Sequence, residues 1–248
     1  MRLDHYLVTQ GSVETRSKAQ RAIKEGHVTV NNTVVTKTAY SVLEHDTVTL
    51  TTSTTYVSVG AYKLKHMLDI FSVSLHNLVV LDVGSSTGGF TQVALEYGAK
   101  KVIAVDVGTD QMHLTLRGDG RIELLEQTHF LTLNSDRYAE AHIVVCDVSF
   151  ISSLTILERL KSVGFRPTLM LIKPQFEQAK VKSQHVIKDP KVRRKIIMDY
   201  QKRCEAMGVF IHQLTVSPIT GGSGNVEYGA YLREEPNVFD VDAFLKEN

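Results

Sequence analysis

Four ionisable residues stand at or near the ends of apolar segments, where such side chains can do chemistry. Lys173 follows the apolar run Leu169–Ile172 and precedes a proline, which has no backbone N–H and so ends a strand. An ammonium at the buried end of a strand is costly without a carboxylate, and Asp147 and Glu227 are candidate partners. Together with Lys63, these residues predict a cluster that moves a proton or stabilises charge. A structural ion-pair network without chemistry is the alternative.

A glycine-rich turn, Gly84-Ser-Ser-Thr-Gly-Gly-Phe90, follows an apolar run that ends in Asp82 and Val83. Glycines let a ligand approach the backbone, and in open α/β sheets this happens at the carboxyl ends of the strands. Asp106 lies 24 residues beyond Asp82, where a carboxylate would meet ribose hydroxyls. Ser86 replaces the middle glycine of the dinucleotide fingerprint, and Asp82 is placed to face an amine or sulfonium. Both features favour S-adenosylmethionine over NAD; an NAD site and a turn that binds nothing remain alternatives.

The predicted cofactor contacts combine this turn with the ends of the neighbouring strands. They are Asp82, Gly84, Ser85, Ser86, Thr87, Gly88, Gly89, Phe90, Asp106, Val107 and Asp147.

Strand-like runs alternate with amphipathic helical stretches over most of the chain, which predicts an α/β fold with a largely parallel sheet covered on both faces. Such a Rossmann-like sheet brings the ends of its strands to one edge, where the residues above would meet. The predicted strands are Leu78–Val83, Lys101–Val105, Ile122–Leu125, Ile143–Cys146, Leu169–Ile172, Val209–Thr215 and a terminal hairpin partner, Val226–Leu232.

The N-terminal residues 1–52 predict a separate, small α+β domain. Thr15 is expected to cap a helix over Arg16–Glu25 that ends at Gly26. Residues 27–35 alternate apolar and polar side chains around an Asn-Asn pair, which predicts a hairpin. Residues 53–58, rich in threonine, predict a linker to a second domain over residues 59–248.

Charge is unevenly distributed along the chain. The net charge is +1, yet residues 173–203 carry a local charge of +7. Such segregation is expected of a nucleic-acid-binding protein, although a solvated helix face would show it too. Two cysteines are too few for a disulfide framework, and the ten histidines show no convincing metal-ligand spacing. No apolar run is long enough to span a bilayer, so we expect a cytoplasmic protein without a metal or a membrane partner.

The N-terminal domain resembles the S4 RNA-binding domain in the words Arg2-Leu-Asp4, Thr15-Arg-Ser-Lys-Ala19 and Ile23-Lys-Glu-Gly-His-Val28. The whole chain resembles the TlyA family, in which an S4 domain precedes an FtsJ-like class I methyltransferase domain. The words that carry this resemblance are Gly60-Ala-Tyr-Lys-Leu64, Leu81 through Thr91, Val105-Asp-Val-Gly108, Asp147-Val-Ser-Phe-Ile151, Lys173-Pro-Gln-Phe-Glu177, Asp189-Pro190 and Ser217-Pro218 through Gly224-Asn-Val-Glu-Tyr228.

The resemblance implies a ribosomal RNA 2′-O-methyltransferase that uses S-adenosylmethionine and acts on cytidine. The N-terminus begins directly at the S4 words, which is similar to the shorter members associated with large-subunit RNA. The resemblance implies Lys63, Asp147, Lys173 and Glu227 as the catalytic set. Lys173 would deprotonate the ribose hydroxyl or, if it stays charged, stabilise the developing alkoxide. The resemblance also implies RNA contacts by Arg16, Lys18, Arg21 and Lys24. The basic stretch over residues 173–203 adds Lys188, Arg193 and Arg194 as predicted RNA contacts.

Two further functions remain open at this point. The partner is expected to be ribosomal RNA or a ribosomal subunit, and a non-catalytic ribosome assembly factor that retains a methyltransferase fold would bind the same partner. The family is also labelled hemolysin, but the chain lacks the apolar runs and the repeated strand alternation of membrane-spanning proteins. The oligomeric state is not indicated.

Overall fold

The computed structural model describes residues 1–24, 27–31, 33–43, 45–50, 56–178, 186–221 and 224–247. Contacts divide the chain into two compact units, Met1–Thr55 and Tyr56–Asn248. The predicted linker, residues 53–58, spans the boundary between the units, and its first three residues lie outside the described residues.

The first unit combines two short helices with an antiparallel sheet in the described part of the chain. Helix α2 begins where predicted, and the Thr15 hydroxyl accepts a hydrogen bond from the Lys18 amide at 3.3 Å. Its predicted end at Glu25 and Gly26 lies outside the described residues. The elements are α1 (Leu3–Thr9), α2 (Arg16–Lys24), β1 (Val28–Val30), β2 (Thr33–Val34) and β3 (Val48–Leu50), with β1 in the middle of the sheet.

The predicted hairpin is confirmed: β1 pairs with β2 in antiparallel fashion, with Val30 opposite Thr33. Asn31 has a φ of 50°, the positive value that asparagine tolerates in a tight turn. Asn32, the second residue of the predicted turn, lies outside the described residues.

Asp4 joins the two helices of this unit. Its side chain is fully buried, and its carboxylate accepts hydrogen bonds from Arg2, Arg16 and Gln20 at 2.9–3.0 Å. The Arg2 guanidinium, assisted by Gln20 and Arg16, holds the pKa of Asp4 well below its usual range. The sequence word Arg2-Leu-Asp4 therefore has a structural role.

The second unit contains the predicted α/β sheet. Its strand order is β6-β5-β4-β7-β8-β10-β9; β10 is antiparallel to both of its neighbours, and the other recorded pairs are parallel. The strands are β4 (Val79–Val83), β5 (Lys101–Val105), β6 (Ile122–Leu125), β7 (Ile143–Cys146), β8 (Thr168–Ile172), β9 (Phe210–Val216) and β10 (Tyr228–Arg233). The helices are α3 (Gly60–Phe71), α4 (Gly89–Glu96), α5 (Leu114–Arg117), α6 (Ser153–Val163), α7 (Pro190–Ala206) and α8 (Val241–Glu247).

Each strand predicted from the apolar runs is present, and its ends agree within two residues. The hairpin partner β10 lies between β8 and β9, a position that hydrophobic patterning does not specify. Strand β4 has β5 on one side and β7 on the other, so the chain reverses its winding direction between β4 and β7. Ligands of open α/β sheets bind at the carboxyl ends of the strands at such a point.

Two apolar layers cover the sheet, one on each face. Leu81 and Ile103 point into one layer, together with residues of α6, α7 and α8. Val80 and Val102 point into the other layer, together with residues of α3 and α4. Because successive strand residues face opposite sides, near-continuous apolar runs are required to bury both faces. The two layers fix the edge from which the candidate site is built.

Candidate active site

The four predicted ionisable residues meet at the carboxyl edge of the sheet. Asp147 directly follows β7, and Lys173 directly follows the neighbouring strand β8. Lys63 lies in the first turn of α3, and Glu227 immediately precedes β10, the antiparallel neighbour of β8. Helix α3 and the start of β10 therefore meet at this edge, and they bring together Lys63 and Glu227, which are 164 positions apart in the sequence.

The site contains two ion pairs. Lys173 Nζ lies 2.5 Å from Asp147 Oδ1, and it also donates a hydrogen bond of 2.9 Å to Ser149 Oγ. Lys63 Nζ donates to Glu227 Oε2 at 2.6 Å. The lysine side chains are each 7% exposed and that of Glu227 is 3% exposed, so these charges are almost removed from water. Asp147 was correctly predicted as a partner of Lys173, whereas the carboxylate of Glu227 is paired with Lys63.

A cavity of about 230 Å³ opens in front of these pairs. Lys63, Asp147, Lys173 and Ser149 line it, while Glu227 lies behind Lys63 and holds its ammonium from the buried side. An acceptor group entering this cavity would therefore meet two paired lysines and one carboxylate. Such an arrangement can orient a hydroxyl and handle its proton.

A larger cavity of about 470 Å³ adjoins the first one. Gly84, Ser86, Asp147 and Ser149 line both cavities, so a ligand in one reaches the edge of the other. Asp106 lines the larger cavity, and its carboxylate is fixed by the backbone amides of Ser86 at 2.8 Å and Gly108 at 2.7 Å. A fixed carboxylate beside a partly apolar cavity suits a nucleoside, because the ribose hydroxyls donate and the base packs on apolar surface.

The glycine turn gives this cavity its shape. Gly84 has a φ of 82°, and a Cβ there would meet the Asp147 carbonyl oxygen at 3.0 Å. Gly88 has a φ of 94° and faces Met112 and Leu116 instead of a cavity. The missing side chain of Gly84 thus lets the ends of β4 and β7 approach each other. With the fixed carboxylate of Asp106 and the apolar lining, the residues of the larger cavity fit S-adenosylmethionine.

Of the predicted cofactor contacts, all but Asp82 and Gly88 line one of the two cavities. Asp82 is fully buried, and its Oδ2 accepts a hydrogen bond of 2.6 Å from the Thr91 hydroxyl. Burial raises the pKa of Asp82 to about 7, and the carboxylates of Asp147 and Asp106 add to this shift. Asp82 therefore supports the glycine turn through Thr91 and lines neither cavity.

Sequence reasoning missed several lining residues. The segment Thr128–Leu131, which follows β6, forms one wall of the larger cavity. The rule that strand ends gather at one edge would have found it, but the segment has no glycine-rich turn, and His129 is its one ionisable residue. Ser149 and Phe150 belong to the sequence word Asp147-Val-Ser-Phe-Ile151, which by itself assigns them no role. Ser149 lines both cavities, and Phe150 lines the larger one with its side chain largely exposed.

The residues predicted to bind RNA have varied surroundings. Arg194 pairs with Asp242, and Arg193 donates to the carbonyl oxygens of Ile187 and Lys188 at 3.0 Å. Lys188 itself is exposed. In the first unit, Lys18 pairs with Glu14 at 2.7 Å, Arg16 donates to buried Asp4, Lys24 is exposed and Arg21 is half-buried.

The fold and the site define a class I methyltransferase that depends on S-adenosylmethionine. Residues 56–234 match the FtsJ-like methyltransferase family, and residues 1–48 match the S4 domain. With both domains in this order, the chain belongs to the TlyA family.

Two curated relatives and one solved structure illustrate the similarity. The chain is 36% identical over 241 residues to "16S/23S rRNA (cytidine-2'-O)-methyltransferase TlyA" of Mycobacterium tuberculosis, covering 94% of this chain and 90% of that protein. It is 41% identical over 179 residues to "23S rRNA (cytidine-2'-O)-methyltransferase TlyA" of Campylobacter jejuni, covering 71% and 70%. A solved structure described as a hemolysin from Streptococcus thermophilus aligns with a TM-score of 0.73 and 33% identity, over 100% of this chain and 93% of the other.

The hemolysin label of that neighbour raises the question of membrane insertion. Within the described ranges, no helix combines the length and the apolar character that crossing a bilayer requires.

Proposed function

We propose that this protein transfers a methyl group from S-adenosylmethionine to the ribose 2′-hydroxyl of a cytidine in ribosomal RNA, with the large subunit as substrate. The observation that carries the proposal is the Lys173–Asp147 pair, separated by 2.5 Å, in a cavity that shares lining residues with the nucleoside-sized cavity. The acceptor class is supported by the S4 domain and by the names of the two relatives, both of which specify cytidine-2′-O transfer. Ribosomal RNA also implies that the protein acts in the cytoplasm.

The cofactor's contribution, when it is bound, is a methyl group on a positively charged sulfonium. Asp106 and the turn at Gly84 and Ser86 would hold it, because these groups line the larger cavity and Asp106 is fixed by backbone amides. Asp147 lies where the two cavities join, so its carboxylate is suited to hold the acceptor close to the reacting carbon.

The chain's own residues must orient the hydroxyl and take its proton. Lys173 Nζ is suited to contact the hydroxyl oxygen, and Ser149 Oγ and Asp147 fix its position at 2.9 and 2.5 Å. The Lys173–Asp147 pair would take the proton that the hydroxyl loses when it accepts the methyl group. The second lysine, Lys63, places its positive charge at the same cavity and is held there by Glu227.

The test is transfer of tritium from labelled S-adenosylmethionine to ribosomal subunits purified from cells that lack this gene. Separate assays with small subunits, large subunits and naked RNA identify the substrate, and nuclease mapping identifies the nucleoside. The Lys173→Ala protein is the matched control: it is expected to bind S-adenosylmethionine normally and to transfer no label. Normal turnover by that variant contradicts the role of Lys173. Cofactor binding without transfer to either subunit favours the assembly-factor function instead.

A further inference from the structure

Glu177 lies outside both cavities, yet it joins the two segments that carry the catalytic pair. It ends the short 3-10 helix Pro174–Phe176, four residues beyond Lys173. Its carboxylate is buried and accepts a hydrogen bond from the Ser152 hydroxyl at Oε2. At Oε1 it accepts from the Ser153 amide at 2.9 Å and from the Ser153 hydroxyl at 2.7 Å.

Ser152 and Ser153 begin helix α6 and end the loop that follows β7. That loop contains Asp147 and Ser149, the two groups that contact Lys173 Nζ. Three N–H or O–H donors of one segment thus converge on a single carboxylate of the other. Because the donors include the first amide of a helix, the carboxylate also interacts favourably with the positive end of the helix dipole.

Two further contacts reinforce the connection. The rings of Phe150 and Phe176, one from each segment, have centroids 5.4 Å apart. Phe150 has a φ of 67°, a strained value for a bulky residue, which persists only where surrounding contacts impose it. The Ser153 hydroxyl also lies 2.9 Å from the Tyr200 hydroxyl of α7, which links the junction to the core behind it.

We infer that Glu177 is a positioning residue for methyl transfer: by holding the start of α6, it sets the distance between Lys173 and its partners Asp147 and Ser149. The inference rests on the proposed function. The Glu177 side chain acts through its length, because it spans a fixed gap between the segment that follows β8 and the start of α6. A displacement of about 1 Å at reacting groups can lower a rate by about 100-fold, so a small change in this span has a large effect.

The length and the charge of residue 177 can be varied separately. Glu177→Gln keeps the length and at least one acceptor, while Glu177→Asp keeps the charge but is one methylene shorter. We expect Glu177→Gln to retain kcat within about 3-fold and Glu177→Asp to lower it by about 10- to 100-fold. The RNA KM and the dissociation constant for S-adenosylmethionine should change less than kcat in both variants, because Asp106 and the glycine turn, which would hold the cofactor, are untouched.

A purely structural role predicts a different result. Ile197→Val removes one buried methylene from α7, in the apolar layer beside Tyr200, and leaves the junction intact. If Ile197→Val is more stable than Glu177→Asp, a larger truncation of Ile197 is chosen so that the two proteins have the same melting temperature. A control that loses as much kcat as Glu177→Asp overturns the positioning role. It is also overturned if Glu177→Asp outperforms Glu177→Gln, since charge would then matter and length would not.

Ser153→Ala provides the second approach if Glu177→Asp does not fold. It removes one donor from the other side of the junction and is expected, on its own, to lower kcat about 3- to 10-fold. An unchanged kcat in a folded Ser153→Ala protein contradicts the inference. Wild-type transfer is measured in the same assay. If the proposed function fails, wild type transfers no label; if only this inference fails, wild type transfers label and the variants do not show the expected pattern.

Discussion

The carboxylate of Glu227 lies directly against the α-carbon of Gly221, so that a methyl group on Gly221 would overlap Oε1. The same carboxylate holds Lys63 at 2.6 Å through its other oxygen. The glycine is thus required by close approach, and a side chain there must displace one half of the buried Lys63–Glu227 pair.

Gly221→Ala is therefore expected to lower kcat by about 10-fold or more, because Lys63 loses its fixed position at the cavity. Cofactor binding should be preserved, since neither Gly221 nor Glu227 lines the larger cavity. The measurement is steady-state methyl transfer together with calorimetric titration of S-adenosylmethionine. Gly120→Ala is the matched control, because a Cβ at Gly120 meets nothing within 4 Å. Equal activities of the two variants would contradict the explanation.

The Lys63–Glu227 pair can be separated into its stabilising and its catalytic roles. Lys63→Met or Glu227→Leu alone leaves an unpaired charge in a nearly dry site and is expected to reduce the free energy of unfolding by about 3–5 kcal/mol. The double variant removes both charges and should recover most of that stability. Methyl transfer should remain impaired in all three proteins.

Urea denaturation of the four proteins gives the coupling free energy, and the tritium assay gives the activity. Recovery of activity in the double variant would show that the pair serves stability alone. Absence of coupling would show that the two side chains do not contact each other in solution.

The raised pKa of Asp82 is expected to make the free energy of unfolding depend on pH. Its pKa is raised from 3.8 to about 7 by burial, so the native state binds this proton more tightly than the unfolded state does. Its contribution to stability is complete below about pH 4 and is lost as the pH rises to about 7, at about 1.4 kcal/mol per pH unit. The loss over this window is therefore of the order of 4 kcal/mol.

Asp82→Asn removes the titrating group but keeps an oxygen for the Thr91 hydroxyl. The difference in unfolding free energy between wild type and this variant should fall between pH 4 and pH 7 and be constant above about pH 8. Urea denaturation at several pH values measures it. A difference that does not change with pH would show that Asp82 titrates normally.

The sequence was informative where residue type and position act together. Apolar runs predicted the strands of the large sheet, and the rule that the carboxyl ends of parallel strands converge explains why Asp147 and Lys173 meet. The sequence could not assign the pairing of Lys63 with Glu227, which depends on the insertion of β10 between β8 and β9. Hydrophobic patterning marks a strand but does not specify its neighbours.

Surface charges were harder to interpret for a different reason. Arg193 and Arg194 belong to the most basic stretch of the chain, but their guanidinium groups contact two carbonyl oxygens and Asp242. Asp242 lies 48 residues away in α8, so nothing near Arg194 in the sequence indicates its partner. Lys173 was easier to interpret, because a buried ammonium requires a partner wherever it lies.

The difference between paired and unpaired basic side chains predicts which of them bind RNA. Lys188 and Lys195 are exposed, and neither ammonium has an ion-pair partner in the part of the chain that the structure describes. Each phosphate contact contributes about 0.7–0.9 to the slope of log affinity against log salt, so Lys188→Ala with Lys195→Ala should reduce the slope by about 1.5. Filter binding of ribosomal RNA between 50 and about 200 mM salt measures it.

Arg194→Ala provides the control for that measurement. It removes a positive charge from α7, the helix that also carries Lys195, but this charge is already neutralised locally by Asp242. We therefore expect its salt slope to stay near the wild-type value, with a stability loss of at most about 1 kcal/mol for an exposed pair. A slope reduced by Arg194→Ala and unchanged by the lysine substitutions would move the RNA contact to the α8 side of α7, because that is where Asp242 holds Arg194.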